Sequence, residues 1–385
     1  MEKGGDTSVV RIEILGPAPP DRGGIAHETA HLAEELGRLA SVRYLTFSRR
    51  YPRWLDPRRF AVDPRLPPAP AEPVLDYLSA RSWRETAARV ASDAPDALVV
   101  PWWTSFWAVP VRTVFRKLAR LRPETRRVLL CHNLEDHEAG LAARWLAGGA
   151  FSESDAFLVH NEANRAELHR RFPFRPVEAL PLPALEIATD REEARRTLKI
   201  EGRLVLFLGL IRPYKGVDVL LAAAPRIIRE TGARIAIVGE VFDDARYLTR
   251  MWESSPVRDR VIWKDEYVSE EEMGLWLSAC DLLALPYRRI SSSAIAARGI
   301  GAHRPIAAAA VGGLKEAVEP GVTGELFDPG DAEGLARAVA RIFERGTESY
   351  SAGLTRALRE TSWPSYARKI VDFLERDRAS RIAAR

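Results

Sequence analysis

A chain of 385 residues is too long for one ordinary core, so two domains of roughly 180 residues are expected. Its 46% hydrophobic and 29% charged residues exclude a disordered or fibrous protein, and a net charge of +4 is too small to imply a nucleic-acid partner. No apolar run approaches the roughly 20 residues that span a bilayer, and MEKGGDTS lacks the apolar core of a secretion signal, so a cytoplasmic protein is expected. Cys131 and Cys280 both lie in apolar strand-like runs, as free buried thiols would.

The first strand is read at Val9–Leu15, followed by the loop GPAPPDRGG and a helix whose apolar face runs Ile25, Ala30, Ala33, Leu36 and Leu39. Gly23 and Gly24 let a backbone approach a ligand closely at the helix amino end, or simply make a tight βα turn. Their spacing is not the alternating-glycine dinucleotide fingerprint, which argues against a nicotinamide cofactor. Strands are expected at Val42–Phe47, Ala97–Val100 and Arg127–Cys131, and helices over Leu75–Ser92 and Val109–Leu121. Residues 51–73, rich in Pro and Arg, read as an irregular excursion. Strand and helix alternate, which predicts a parallel sheet covered on both faces.

Trp102, Trp103, Phe106 and Trp107 precede a helix bearing Arg112, Arg116, Lys117 and Arg120, with Arg122 just beyond. A basic amphipathic helix beside aromatic residues suits an anionic membrane surface, and equally suits a surface helix whose Val111, Val114, Phe115 and Leu118 feed the core. His132 comes directly after the strand residues VLLC, at a sheet's carboxyl end, either as a hydrogen-bonded loop residue or as a group that meets substrate. His160 and Asn161 follow the next strand in the same way.

The proline-rich run 173–189 is the expected domain boundary, giving domains 1–184 and 185–362 and a closing segment 363–385. Beyond it, the strand Leu204–Leu208 ends in Gly209. A polar turn with Arg212, Pro213 and Lys215 then leads through Gly216 into a helix with Val217, Leu220, Leu221 and Ala224 on one face. Ligands of α/β proteins bind at such strand ends, and two cations on the turn suit a phosphate. Further strands are read at Ala233–Val238, ending in Gly239, and at Val261–Trp263 and Leu282–Leu285. A three-serine turn opens a helix near Ser293, as an anion site or a plain N-cap. A short strand Ile306–Ala310 follows, then Gly312-Gly313, a helix holding Glu316, and PGVTGELFDPGD as a hairpin-like tail. Asp243-Asp244 reads as a solvated turn, and no Cys/His cluster has zinc spacing, so neither metal nor cofactor is expected. The final helix carries Tyr366, Ile370, Phe373 and Leu374 on one side, after Trp363.

The string GLIRPYKG closely resembles the donor-site turn of the retaining glycosyltransferases of family four, and the order of segments after it matches their donor half. The resemblance implies the GT-B fold: α/β, two Rossmann-like doubly wound domains facing across a cleft, with a C-terminal crossover helix packing back on the first. It implies transfer of a sugar from a nucleotide diphosphate sugar to a hydroxyl of a glycan, lipid-linked or small acceptor, with retention. Arg212 and Lys215 match the residues that hold the diphosphate. Gly23, Gly24, Gly239, Ser292, Ser293, Ala294 and Glu316 take substrate-binding positions. The His-Asn loop after the fourth strand of the family matches at His132, which would touch the sugar or acceptor, with His137 a few positions on. Many relatives carry two glutamates where this chain has Ile290 and Arg298, and a subgroup has instead a serine-rich turn, here Ser292-Ser293-Ala294. That departure leaves Arg298 to meet the diphosphate or a surface carboxylate. A non-catalytic nucleotide-sugar-binding protein and a sugar-nucleotide epimerase share the architecture and stand as alternatives.

Overall fold

The computed structural model describes residues 9–21, 23–50, 62, 66–134 and 141–383, without the side chains of 141–144, 243 and 382. Two compact units result: Met1–Leu180 with Trp363–Arg385, and Pro181–Ser362. The first boundary thus falls at Leu180, within the proline-rich run.

In the first unit the chain runs β1 (Arg11–Leu15), α1 (Gly24–Gly37), β2 (Ser41–Arg49), β3 (Glu72–Asp76), α2 (Ala80–Asp93) and β4 (Ala97–Trp102). It continues through α3 (Ala108–Leu121), β5 (Arg126–Cys131), α4 (Leu141–Ser152), β6 (Ala156–Val159), α5 (Glu162–Arg171) and β7 (Val177–Ala179). Among the described residues these strands form one parallel sheet in the order β3-β2-β1-β4-β5-β6-β7. Its β4 is apolar and buried along its whole length, and β5 from Val128 on, because helices cover both faces. The second unit holds α6 (Arg191–Leu198), β8 (Leu204–Leu208), α7 (Val217–Thr231), β9 (Arg234–Val238), α8 (Tyr247–Glu253), β10 (Val261–Lys264) and α9 (Glu270–Ala279). After these come β11 (Leu282–Leu285), α10 (Ala294–Gly301), β12 (Ile306–Ala309), α11 (Leu314–Ala317), β13 (Gly324–Phe327), α12 (Ala332–Arg345) and α13 (Ser351–Thr361). Its described strands form a parallel sheet in the order β10-β9-β8-β11-β12-β13. The last helix, α14 (Trp363–Ala383), belongs to the first unit. Trp363, Tyr366, Ile370, Val371, Phe373 and Leu374 complete the core over one face of the first sheet, and the Trp363 ring lies tilted 5.5 Å from that of His31 of α1.

Two expectations are corrected. The helix read from Leu75 starts only at Ala80, because Leu75 lies in β3, an edge strand made by pairing with β2. The tail PGVTGELFDPGD is not a hairpin: Gly324–Phe327 runs parallel to β12. The aromatic residues before α3 serve the core, since Trp102 and Trp107 are buried and Phe106 stacks on Tyr77 at 4.0 Å. Most of the stretch 51–73 lies outside the described residues. Among the described residues no helix is long and apolar enough to cross a membrane.

Candidate active site

The second sheet reverses its strand order between β8 and β11, where open α/β sheets bind their ligands. After β8 the chain passes through Gly209, at φ +112°, and makes a 3-10 turn over Pro213–Lys215. Gly216 then starts α7 in the left-handed region at φ +67°, and a Cβ there would overlap the Pro286 carbonyl oxygen. Gly239, at the end of β9, lies so close to Gly209 that a Cβ would overlap its carbonyl oxygen. Three strand ends therefore close up on bare backbone. From beyond β11 the Arg288 N–H donates to the Tyr214 carbonyl at 2.8 Å. Its guanidinium grips Asp218 of α7 with both nitrogens, at 2.7 and 2.6 Å. That fork locks the turn.

Lys215 on this turn is half-buried, with its Nζ 5.4 Å from the centre of the Tyr287 ring. Burial, with the Arg212 charge adding to it, lowers its pKa to about 8. No carboxylate among the described residues offsets these two effects. The Arg212 guanidinium lies 4.0 Å over the Phe242 ring. Tyr287 is buried and its hydroxyl meets no partner of hydrogen-bonding geometry. Burial raises its pKa while the neighbouring Ser293 lowers it.

Ser293 caps α10, its hydroxyl accepting from the Ala296 N–H at 3.2 Å. Ser292 and Ala294 stand half-buried on either side of it. Gly313 donates its N–H to the Ser291 carbonyl at 2.9 Å, and a Cβ on Gly312 would overlap the Ile290 carbonyl oxygen. The glycine turn before α11 thus packs on the serine turn, while Glu316 is exposed on α11. Arg298 is paired with Glu270 at 2.6 Å, which is the surface-carboxylate alternative. Arg212, Lys215, Gly239 and Ser293 accordingly belong to one cluster of loops at the carboxyl ends of β8, β9 and β11.

A second cluster lies in the first unit. His132 follows β5 and His160 follows β6, and the registered pair Cys131–Val159 brings their rings together. Both are buried, at 9% and 5% exposure. His160 Nδ1 is 3.1 Å from the Leu180 carbonyl, which can only accept, so Nδ1 carries the proton. Burial lowers its pKa to about 4, leaving the ring neutral with Nε2 as an acceptor. His132 Nδ1, 3.2 Å away, must then donate to it, with Glu28 of α1 at 3.4 Å from the same nitrogen. Burial foremost, then His160, holds the pKa of His132 far below the ordinary range. The His132 Nε2 lone pair is the product of this chain of contacts. Tyr366 of α14 stacks 6.3 Å from His160.

Gly23, at φ +120°, and Gly24 precede and begin α1, and a Cβ on either meets nothing within 4 Å. His137 lies outside the described residues. Sequence reasoning placed His132 but missed Glu28, Tyr366 and the role of His160 beside it. The signal was present: two successive apolar strands, each followed immediately by a histidine. Among the described residues no three His, Cys, Asp or Glu side chains group as a metal would need.

Residues 202–345 match the family described as glycosyl transferases group 1. The D-inositol 3-phosphate glycosyltransferase of Mycolicibacterium smegmatis is 29% identical over 252 residues, covering 60% of this chain and 57% of the relative. That of Streptosporangium roseum is 29% identical over 285 residues, covering 69% of this chain and 64% of the relative. The chain thus spans less than two thirds of the length of these curated relatives. Among solved structures, sucrose-phosphate synthase from Thermosynechococcus elongatus superposes with a TM-score of 0.72 at 19% identity, over 96% of this chain and 100% of that one. HepE of Anabaena in complex with UDP gives 0.73 at 16% identity, over 95% of this chain and 100% of that one. Likeness at this identity fixes the fold, GT-B, and within it residues 202–345 are similar to the glycosyl transferases of group 1.

Proposed function

We propose that the protein transfers a glycosyl unit from a nucleoside diphosphate sugar to a hydroxyl of a glycan, lipid-linked or small-molecule acceptor, with retention at the anomeric carbon. The observation that carries this reading is Lys215, an ammonium held half-buried at the end of the central strand β8 beside Arg212, with no carboxylate among the described residues to neutralise it. A buried, unneutralised cation is costly unless something anionic visits it. A diphosphate is that visitor, and a nucleoside diphosphate is what HepE holds in its structure with UDP.

The chemistry follows from charge. The acceptor oxygen attacks the anomeric carbon on the face from which the diphosphate departs. The bond from that carbon to the diphosphate oxygen breaks with its electron pair, and that oxygen takes the acceptor proton. Negative charge therefore grows on the diphosphate. Arg212, Lys215, the N–H groups opening α10, and the hydroxyls of Ser292 and Ser293 are the groups that receive it, and each well-placed donor is worth about 3–4 kcal/mol in such sites. These side chains carry the charge that a metal ion supplies elsewhere, and the reading needs no cofactor. Gly239 and Ala294 leave room for the nucleotide, Glu316 meets the donor from α11, and Gly23 and Gly24 open the start of α1 to phosphate. His132 Nε2 accepts a hydrogen bond from a hydroxyl of the sugar or acceptor. We further propose peripheral contact with an anionic membrane through the basic side of α3, which suits a lipid-linked acceptor.

Nucleoside diphosphate release, followed across a panel of UDP-, GDP- and ADP-sugars with soluble acceptors, tests the reading. Turnover with retained anomeric configuration is expected. Saturable binding without release, or a product whose only change is an inverted sugar centre, defeats it.

A further inference from the structure

Arg112, Arg116 and Arg120 recur every fourth residue along α3 with Lys117 beside them, and no Asp or Glu occurs between Asp96 and Glu124. Elsewhere in the chain helical arginines at that spacing face a glutamate: Arg38 with Glu34, Arg81 with Glu85, Arg171 with Glu167 and Arg226 with Glu230. Like charges one turn apart repel and weaken a helix. On α3 the repulsion is left uncompensated.

These cations line a groove of about 450 Å³, to which α2 contributes Arg84 and α4 contributes Leu146. Among the described residues none of the five cations is ion-paired. Gly149 of α4 leaves room for Arg112 to lie across the helix pair, since a Cβ there would come within 2.9 Å of the Arg112 side chain. Apolar groups edge it: Val109, Leu146 and the adjacent Trp145 are all exposed, Trp145 by 75%. The opposite side of α3 buries Val111, Val114, Phe115 and Leu118 in the core over one face of the sheet. Helices α1 and α14 cover the other face, and neither Glu28, His132 nor His160 lines the groove.

We propose that this groove is a second anion site, which takes a phosphate-bearing group of two or more negative charges. Its volume fits one such group with a short organic stem. Five converging cations with no acid among them suit an anion of that charge density. The chemistry is shared by a lipid headgroup and by a free phosphorylated metabolite. The inference deepens the membrane part of the reading above and rests on none of the transfer chemistry.

The test uses the full chain with Lys215→Met, which silences the donor turn, with and without Arg112→Gln/Arg116→Gln/Arg120→Gln. Calorimetry with inorganic pyrophosphate should show saturable binding that weakens about a hundredfold in the triple variant, at about fivefold for each charge removed. The three changes relieve repulsion, so the melting temperature should hold or rise. Flotation with vesicles of phosphatidylcholine and phosphatidic acid, whose phosphomonoester can carry two charges, names the source. Co-flotation that pyrophosphate displaces assigns a lipid headgroup, and pyrophosphate binding without flotation assigns a soluble phosphate. Equal binding with and without the three arginines overturns the proposal, as does binding of neither probe. With Lys215 intact, the triple variant should turn over nucleotide sugar on a soluble acceptor at the normal rate, so a silent groove and a failed transferase give different results.

Discussion

Holding Lys215 as an ammonium inside a tight turn works against folding. Burial and Arg212 depress its pKa to about 8 against an ordinary 10.5, so the folded state disfavours the protonated form. The resulting penalty is full below pH 8 and vanishes once both states are neutral above about 10.5. Lys215→Met should therefore raise the melting temperature at pH 7, with the gain fading toward pH 10.5, while turnover falls about 10²–10³-fold. A variant that loses activity and stability together would instead make Lys215 a structural residue. On the proposed reading the ammonium meets the diphosphate, so kcat/KM should decline as pH rises past about 8, and Lys215→Arg should remove that decline. The two histidines give a separate check. His160→Gln keeps an acceptor for His132 Nδ1 and should retain most of kcat, whereas His160→Asn keeps only the bond to Leu180. The asparagine variant should lose about tenfold or more in kcat, with the nitrogen NMR shifts of His132 reporting a changed tautomer.

Between the elements, the glycine at the head of α7 decides how tightly β8 and β11 close. Gly216→Ala must relieve both a positive φ and an overlap with the Pro286 carbonyl, so it should cost more than about 1 kcal/mol and lower turnover as well. Thermal melts and rates measured on the same preparation distinguish this joint loss from the opposed effects at Lys215. The turn was legible in the sequence because its parts are contiguous: strand, glycine, cations, glycine, helix. The edge strands β3 and β13 were not. Glu72–Asp76 and Gly324–Phe327 become strands through partners remote in the chain, and their own residues carry turn or helix signals. The relay behind His132 was half legible, since its histidines repeat a local pattern while Glu28 and Tyr366 arrive from helices far away in sequence. For the α3 groove the charges could be read, but not the burial of Trp102 and Trp107, which shifts the exposed aromatic role to Trp145.

On the scale of the whole chain, α14 belongs to a unit it is separated from by the entire second sheet. Its Trp363, Tyr366, Ile370, Val371, Phe373 and Leu374 are buried in the first unit's core, each worth about 1.5–3 kcal/mol. Together, at about 9–18 kcal/mol, they are comparable to the roughly 5–15 kcal/mol that stabilises a whole domain. Arg126 adds a two-nitrogen pair to Asp377 of the same helix. A chain stopped after Ser362 should therefore lose cooperative melting of the first unit while residues 181–362 still melt as one, as calorimetry and proteolysis would show. During synthesis this reverses the usual sequence of events. The half translated first must wait, one sheet face covered by α1 alone and partly open to chaperones, until the last turns of α14 leave the ribosome, while the half translated second already has all its described strands.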